Sequence, residues 1–380
     1  MLALIIFQAF FGGTSVRKRA IFLAPFAAML MLLTAIGPAR ATDYTQATDS
    51  WALARITQTG PVAAPGNGRT YNYTTHSQGE GVNAYIIDAG IDIDHPDFGG
   101  RAQVKYDPFG NGPNDCTGHG TGMAESLGGA TYGVAKKVNL IAVNAENCHG
   151  SWAWQDYYNA IMWVKNNAVK PAVAVISHNW NGAGYFGQLG QLTQAVNDLS
   201  NSGVSVVVSA GNVGGPVPYC LFPWLCVSAG PDAQRWAVDN PPANAGQAIV
   251  VMGTSPDDTV PLNNRVTPDC VSTNTGQPVN AWSTVGGDIY APGFPVMTIR
   301  EVPNAHNAPF GYDCGTSYAA PITAGVVALY KATYGDAPSP TVKAWILDHA
   351  TVGAITNNPP QDGTNANTYT PNRLLNTAGL

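Results

Sequence analysis

The sequence contains few charged residues and no concentrated basic segment in the part that we expect to be mature. Only 11% of the 380 residues are charged, with 18 basic against 24 acidic side chains. Residues 1–41 hold four of the basic and none of the acidic residues, so the remainder carries a net charge near −10. Because binding to nucleic acid depends on a basic patch that neutralises phosphates, we expect no nucleic-acid partner.

Three further patterns are missing from the sequence. No two cysteines stand at CxxC spacing, so a cysteine cage for a metal is not predicted. No Gly-x-Ser-x-Gly motif surrounds Ser317, which argues against an esterase with the α/β-hydrolase fold. The chain also has no internal repeat and no low-complexity tract. Its 45% hydrophobic content is instead typical of a globular protein with a full core.

The N-terminal region has the pattern of a secretory signal peptide. The basic run Arg17–Arg19 is followed by the almost wholly apolar Ala20–Ile36 and by the small-x-small sequence Ala39–Ala41. We therefore expect residues 1–41 to be removed and the mature protein to be secreted, without stable membrane association. An uncleaved anchor is the alternative, since 17 apolar residues are near the minimum that spans a bilayer. The atypical Met1–Val16 that precedes the pattern is compatible with a later start of translation.

Six cysteines in a secreted chain indicate disulfides. The plausible local pairs are Cys116 with Cys148 and Cys220 with Cys226, which leaves the last two cysteines to each other. Six cysteines allow 15 connectivities, so only the even number is firm at this level.

Strand-like and helix-like segments alternate along the middle of the chain. This alternation predicts an α/β fold with a doubly wound, mainly parallel sheet and helices on both faces. The predicted strands are residues 82–87, 138–143, 172–176, 204–209 and 248–252. The predicted helices are residues 152–166, 188–201, 317–334 and 340–350.

Four polar residues stand where such a fold places its functional sites. Asp88 ends the first buried strand and Asn212 follows another, so both should reach the carboxyl edge of the sheet. His119 stands between two glycines, and Ser317 lies in the first turn of a small-residue helix, where a developing anion is favoured. Three of them also have an ordinary interpretation: Asn212 as a turn former, His119 as an incidental histidine in a glycine loop and Ser317 as a helix cap. The loop residues that follow Asp88 could instead indicate a metal site; these are Asp92, Asp94, His95 and Asp97.

The combination of the four residues predicts a nucleophilic hydrolase. A serine hydroxyl becomes a good nucleophile when a histidine takes its proton, and a buried carboxylate holds that histidine in one tautomer. An asparagine amide, together with the backbone N–H of Ser317, would stabilise the anion formed at the attacked carbonyl. This chemistry requires no cofactor.

The four motifs resemble those of subtilisin-like serine proteases (subtilases) of the proteinase K group. The motifs that carry the resemblance are Tyr85–Ile91, Asp115–Thr121, Ser209–Asn212 and Gly315–Pro321. The resemblance covers about residues 50–377 and implies Asp88, His119 and Ser317 as a catalytic triad, with Asn212 as the oxyanion donor. It also implies a monomeric endopeptidase that acts on proteins or peptides. Two alternatives remain: a non-catalytic or impaired binding protein with this fold, and a serine hydrolase of small esters.

The resemblance also implies a structural calcium ion as a candidate ligand, with Asp288 as one of its binding residues. A single carboxylate does not make such a site, because Ca²⁺ takes six to eight oxygen ligands. Relatives are usually made with a propeptide, and none is recognisable here. We therefore expect residues 42–380 to form one catalytic domain.

The segments that resemble the substrate-binding edges of the family depart from its pattern. Peptide substrates bind these edges as an added strand, and glycines there leave room for side chains. Larger residues stand at several of these positions, so the substrate preference of the family does not carry over. The candidate substrate-binding residues are Gly150, Ser151, Trp152, Asn179, Trp180 and Asn181.

Overall fold

A nine-stranded sheet forms the centre of the protein in a computed structural model. The structure describes residues 43–63, 68–148, 153–180, 186–212, 218–222, 225–228, 237, 240–261, 265–271, 278–281, 283–359 and 370–380. In spatial order the strands of the sheet are β16 (Thr351–Val352), β17 (Arg373–Leu374), β13 (Ile289–Pro292), β10 (Ile249–Thr254), β7 (Ser205–Ser209), β6 (Ala172–Ile176), β3 (Asn83–Asp88), β5 (Asn139–Asn144) and β4 (Ala102–Tyr106).

All neighbouring strands in this sheet are parallel except β16 and β17, which are antiparallel. The remaining strands form two-stranded antiparallel sheets. These are β1 (Tyr44–Thr48) with β2 (Tyr71–Thr75), β8 (Pro218–Phe222) with β9 (Leu225–Ser228), β11 (Arg265–Val271) with β12 (Pro278–Ala281), and β14 (Val296–Ile299) with β15 (Phe310–Asp313).

Helices cover both faces of the central sheet. The α-helices are α1 (Trp51–Ile56), α2 (His119–Gly128), α3 (Trp154–Asn167), α4 (Phe186–Asn201), α5 (Thr316–Tyr334) and α6 (Ser339–Asp348), and a short 3₁₀ helix spans Pro96–Phe98. In β3, Ala84 and Ile86 pack in one core with residues of α2 and α5, while Tyr85 and Ile87 pack in a second core with α3 and α4. Both faces of the strand are buried, which explains its uninterrupted apolar sequence.

The predicted fold class is confirmed: the sheet is mainly parallel, and helices lie on both of its faces. In the part of the chain that the structure describes, no helix is long and apolar enough to cross a membrane. The parallel arrangement brings the ends of β5, β3, β6 and β7 side by side at one edge of the sheet, and three of the four candidate residues lie at or near this edge. The fourth, Ser317, is in the first turn of α5.

Candidate active site

Asp88 is the last residue of β3, and its carboxylate is almost completely buried, at 2% exposure. Its Oδ2 lies 2.9 Å from Nδ1 of His119, and its Oδ1 accepts a hydrogen bond of 2.8 Å from the backbone N–H of Ala89. With both oxygens engaged, the carboxylate is held in one orientation. Because a carboxylate accepts hydrogen bonds, the contact makes Nδ1 the protonated nitrogen of a neutral imidazole and leaves Nε2 basic.

His119 is the first residue of α2, and the two glycines beside it allow the helix to begin close to β3. A Cβ at Gly118 would lie 2.4 Å from the backbone N of Val302, and one at Gly120 would lie 2.1 Å from the carbonyl oxygen of Gly90. A larger residue at Gly120 would push the start of the helix away from Asp88, and one at Gly118 would collide with the backbone of Glu301 and Val302. The glycines therefore set the position of the histidine through close backbone packing.

Asp115 holds the turn that precedes His119. Its buried carboxylate accepts hydrogen bonds from the backbone N–H groups of Thr117, Gly118 and Thr121 at 2.7–3.0 Å. These include donors at the start of α2 that have no acceptor within the helix, so the carboxylate caps the helix. Burial, with Asp88 nearby, raises the pKa of Asp115 above its ordinary value. Asp115 lies in one of the four sequence motifs, but this capping role was not predicted from the sequence.

The pKa of His119 is raised well above its ordinary value. Burial opposes the charged imidazole, but the attraction and hydrogen bond of Asp88 outweigh it, with smaller contributions from Glu301 and Glu146. A nearby negative charge stabilises the imidazolium, which is the form that a general base takes after it accepts a proton. The site is therefore suited to proton transfer at His119.

Ser317 lies in the first turn of α5 and shares a cleft of about 560 Å³ with Asp88, His119 and Asn212. Its Oγ donates a hydrogen bond of 3.4 Å to the carbonyl of Ser177 and is not hydrogen-bonded to His119. Hydrogen bonds among catalytic groups are often long or absent before substrate binds. The three residues of the predicted triad are thus brought together in one cleft, with the Asp–His contact formed and the Ser–His contact not formed.

Asn212 points an amide donor towards the same region. Its Oδ1 accepts hydrogen bonds from the backbone N–H and the hydroxyl of Thr316, at 2.7 and 2.9 Å. The Nδ2 group is left without a partner among the described residues. A Cβ at Gly315 would lie 3.0 Å from this Nδ2 and 3.5 Å from the backbone N of Ser317, so the two nitrogens lie close to each other beside the candidate nucleophile.

The candidate substrate-binding residues fall into two groups. Gly150, Ser151, Trp152 and Asn181 lie outside the described residues. Asn179 lines the cleft, and its side chain is hydrogen-bonded to Ser209. Trp180 is not among the described residues that line the cleft: its ring packs against Tyr157 and His178, with ring centroids 4.8 and 4.7 Å away.

Two glutamates in the cleft were not singled out from the sequence. Glu146 accepts a hydrogen bond of 2.5 Å from the hydroxyl of Tyr157, and burial together with the charge of Asp88 raises its pKa to about 7. Glu301 accepts a hydrogen bond from the hydroxyl of Tyr318. Glu146 stands two residues beyond the end of β5, next to the strand that carries Asp88, and this position at the strand end is the only sequence signal that could have found it.

Two predicted disulfides are present, and each has one cysteine three residues before a candidate catalytic residue. Cys116 is bonded to Cys148, and Cys270 to Cys314. In the third candidate pair the backbones of Cys220 and Cys226 lie opposite each other in the β8–β9 sheet, while their side chains are outside the described part of the structure. The two described disulfides join the segments before His119 and Ser317 to the rest of the protein.

The surroundings of Asp288 do not fit a calcium ion. One oxygen of its carboxylate, Oδ2, accepts hydrogen bonds from the ammonium of Lys343 at 2.8 Å and from the backbone N–H of Val250 at 2.9 Å. A lysine ammonium at this distance would repel a divalent cation, and Ca²⁺ takes six to eight oxygen ligands. Among the described residues, no group of three or more His, Cys, Asp or Glu side chains could hold a metal. We therefore do not retain Asp288 as a metal ligand.

Comparisons with known proteins agree on one family. The model of the subtilase family matches residues 79–379. An alkaline serine exoprotease A from Vibrio alginolyticus is 30% identical over 327 residues, which are 85% of this chain and 51% of that protein. An extracellular serine proteinase from Thermus sp. (strain Rt41A) is 33% identical over 334 residues, 87% of this chain and 67% of that protein.

A solved structure is also similar to this one. The crystal structure of a cold-adapted subtilisin-like serine proteinase superimposes with a TM-score of 0.65 at 26% identity, and the match covers 86% of this chain and 97% of that chain. By contrast, this chain spans about half the length of the Vibrio relative and about two thirds of the Thermus one.

Proposed function

This chain belongs to the subtilase family, and on that premise we propose that it is a serine endopeptidase that hydrolyses peptide bonds through an acyl-enzyme intermediate. One observation carries the proposal. Oδ2 of Asp88 lies 2.9 Å from Nδ1 of His119, in the same cleft as the hydroxyl of Ser317 and the amide of Asn212. The convergence of an oriented base, a hydroxyl at a helix start and an amide donor supports acyl transfer.

In the proposed first step, Oγ of Ser317 attacks the carbonyl carbon while Nε2 of His119 accepts the hydroxyl proton. The hydroxyl must first turn from the carbonyl of Ser177 towards the imidazole. Asp88 keeps Nδ1 protonated and stabilises the imidazolium. His119 then gives the proton to the leaving amine as the C–N bond breaks, and a water molecule, activated in the same way, releases the acid and restores Ser317.

Asn212 stabilises the negative charge that develops on the carbonyl oxygen. Its Oδ1 is already occupied by Thr316, so Nδ2 is the group available to donate. The backbone N–H of Ser317, at the start of α5, has no acceptor within the helix and is the second donor. Donors held in place before the reaction require no reorganisation as the charge forms. Apart from the water that is consumed, the proposed reaction therefore uses only protein groups and no cofactor.

We further propose that the enzyme is secreted and acts on proteins or peptides outside the cell. The basic–apolar–small pattern of residues 1–41 supports this location, and the Thermus relative is named as extracellular. The removal of residues 1–41 and the assignment of residues 42–380 as the catalytic domain stay predictions, which N-terminal sequencing of the secreted protein would test.

A binding protein without catalytic activity is the second candidate. The hydrogen bond from Ser317 to Ser177, in place of one to His119, is the observation that favours it. The two candidates differ in one measurable property. A working nucleophile reacts covalently with a fluorophosphonate, which transfers its phosphonyl group to the serine oxygen with loss of fluoride, whereas a binding protein does not react.

The test uses the secreted protein and its Ser317→Ala variant. We expect the wild-type protein to hydrolyse casein and to carry the fluorophosphonate on the peptide that contains Ser317. The alanine variant should do neither while keeping the circular dichroism spectrum of the wild type. Casein hydrolysis by Ser317→Ala, or a label on another serine, would overturn the assignment.

A further inference from the structure

A crevice opens where β6 and β7 end beside Ser317. Its two walls are Ser177–Asn179, which follow β6, and Gly211–Asn212, which follow β7. The two strands are paired up to Ile176 and Val208. Ser177 is fixed against the nucleophile, since its Oγ donates a hydrogen bond of 3.1 Å to the carbonyl of Ser317. The crevice therefore lies directly next to the atom that the proposed function makes the nucleophile.

The proposed chemistry determines which part of a substrate enters this crevice. The carbonyl oxygen under attack points to Nδ2 of Asn212, and the nitrogen of the scissile bond points to His119. The remaining substituent of the carbonyl carbon, the α-carbon on the acyl side, must then point away from His119. In the sheet β6 lies between β3, which carries Asp88, and β7. The side chain on the acyl side is thus directed to the β6–β7 end of the cleft.

The side chain of Asn179 spans this crevice from one wall to the other. Its Nδ2 donates to the carbonyl of Ser209 at 2.9 Å, and its Oδ1 accepts from the hydroxyl of Ser209 at 2.9 Å. Ser209 is buried, at 1% exposure, so the carboxamide is anchored in the interior. Displacing it would break both hydrogen bonds and leave polar groups of Ser209 without these partners, which is costly in a buried environment.

The second wall is also backed by polar side chains. A Cβ at Gly211 would lie 3.2 Å from Oγ1 of Thr284, 3.3 Å from Nδ2 of Asn240 and 3.6 Å from Oδ1 of Asn179. The backbone N–H of Thr284 also donates a hydrogen bond of 3.0 Å to the carbonyl of Gly211. The space next to Gly211 is therefore already occupied by the side chains of Thr284, Asn240 and Asn179.

We infer that Asn179 closes the pocket for the residue whose carbonyl is attacked, and that the enzyme prefers glycine or alanine at this substrate position over large aromatic residues. The inference rests on the proposed function and assigns a substrate class to that site. Asn179 acts here as a steric and polar barrier, held by Ser209, and takes no part in the proton transfers.

The experiment compares two peptide anilides that are identical except for alanine or phenylalanine before the scissile bond. For the wild-type enzyme we expect kcat/KM for alanine to exceed that for phenylalanine by at least about tenfold, in the range that pocket size commonly produces. Asn179→Gly and Asn179→Ala should both raise the phenylalanine-to-alanine ratio by at least about tenfold. The alanine variant separates loss of the carboxamide from greater backbone freedom.

Asn179→Gln is the matched control, because it keeps a carboxamide of at least equal bulk and should keep the preference for alanine. A wild-type preference for phenylalanine, or an unchanged ratio in both the glycine and alanine variants, would overturn the inference. Active-site titration with the fluorophosphonate makes this failure distinguishable from that of the proposed function. An enzyme that titrates fully but prefers phenylalanine contradicts only the role of Asn179, whereas one that neither titrates nor cleaves either anilide contradicts both.

Discussion

His119 is surrounded by more negative charge than a triad alone requires. Asp88 is hydrogen-bonded to it, and Glu301 and Glu146 add to the field that raises its pKa. A histidine acts as a general base only in its neutral form, so a raised pKa moves the onset of activity to higher pH. The enzyme should therefore be most active on the alkaline side of neutrality.

Asp88→Asn should change both the rate and its pH dependence. The amide can hold the imidazole in the wrong tautomer, and we expect kcat to fall by about 10⁴-fold, as for comparable triads. With the charge of Asp88 removed, only the smaller attractions of Glu301 and Glu146 oppose the effect of burial, so the pKa of His119 should fall and the residual activity should persist to lower pH than in the wild type. The measurement is kcat/KM between pH 5 and 10.

Asp198→Asn serves as the control for this prediction. Asp198 is a surface carboxylate paired with Lys165 and is not among the residues that line the cleft. Its variant should keep the rate and the pH profile of the wild type. An Asp88→Asn profile that begins at the same pH as the wild-type profile would show that Asp88 does not set the pKa of His119.

At the scale of elements, Thr316 ties the start of α5 to the segment after β7. Its hydroxyl donates to Oδ1 of Asn212 at 2.9 Å and accepts from the backbone N–H of Gly211 at 3.1 Å. Thr316 is completely buried and does not line the cleft. We therefore infer that Thr316 is a positioning residue for the proposed oxyanion donor, Asn212.

Thr316→Val keeps the shape of the side chain but removes both hydroxyl hydrogen bonds. We expect kcat to fall by about 10- to 100-fold with little change in KM, because the loss appears only when the anion forms. Asn212→Ala should lower kcat by about 10²–10³-fold, a range established for a member of this family. Thr316→Ser should keep most of the wild-type kcat, since serine retains the hydroxyl that valine lacks.

The double variant Thr316→Val/Asn212→Ala distinguishes positioning from a general structural effect. If Thr316 acts through Asn212, the double variant should be no slower than Asn212→Ala alone. If the fold-losses in kcat of the two single variants instead multiply in the double variant, Thr316 affects the site by another route. That result would count against its role as a positioning residue.

On the scale of the whole molecule, a buried ion pair joins two parts of the chain that are 203 residues apart. The guanidinium of Arg55, in α1, makes hydrogen bonds of 2.7 and 3.0 Å to the two oxygens of Asp258, in the turn after β10. The side chain of Arg55 is fully buried and that of Asp258 is 6% exposed. Removing one partner would leave an uncompensated charge in the interior.

Asp258→Ala should lower the free energy of unfolding by about 3–5 kcal/mol. The double variant Arg55→Met/Asp258→Leu should be markedly more stable than Asp258→Ala, because no buried charge remains in it. Denaturant unfolding of proteins that also carry Ser317→Ala would measure both, since self-digestion is then prevented. An Asp258→Ala protein as stable as its parent would show that the pair contributes nothing to folding.

Much of the fold followed from local patterns in the chain. The strand prediction for residues 172–176 coincides with β6, and that for residues 82–87 differs from β3 by one residue at each end. Helices α3 and α4 both begin and end within two residues of their predicted limits. These agreements have one cause: buried parallel strands require continuous apolar runs, and amphipathic helices require apolar residues at helical spacing.

The four residues that we propose to carry the chemistry also followed from the sequence by itself, because a strand end, a helix start and their glycines are features of the local chain. Only the tertiary structure decided that Asn179 is anchored to Ser209 and that Asp288 pairs with Lys343. These partners are 30 and 55 residues apart, and their meeting depends on which strands become neighbours and which helix packs over them. Local patterns specify the elements and their ends, whereas contacts between side chains exist only after the elements have packed.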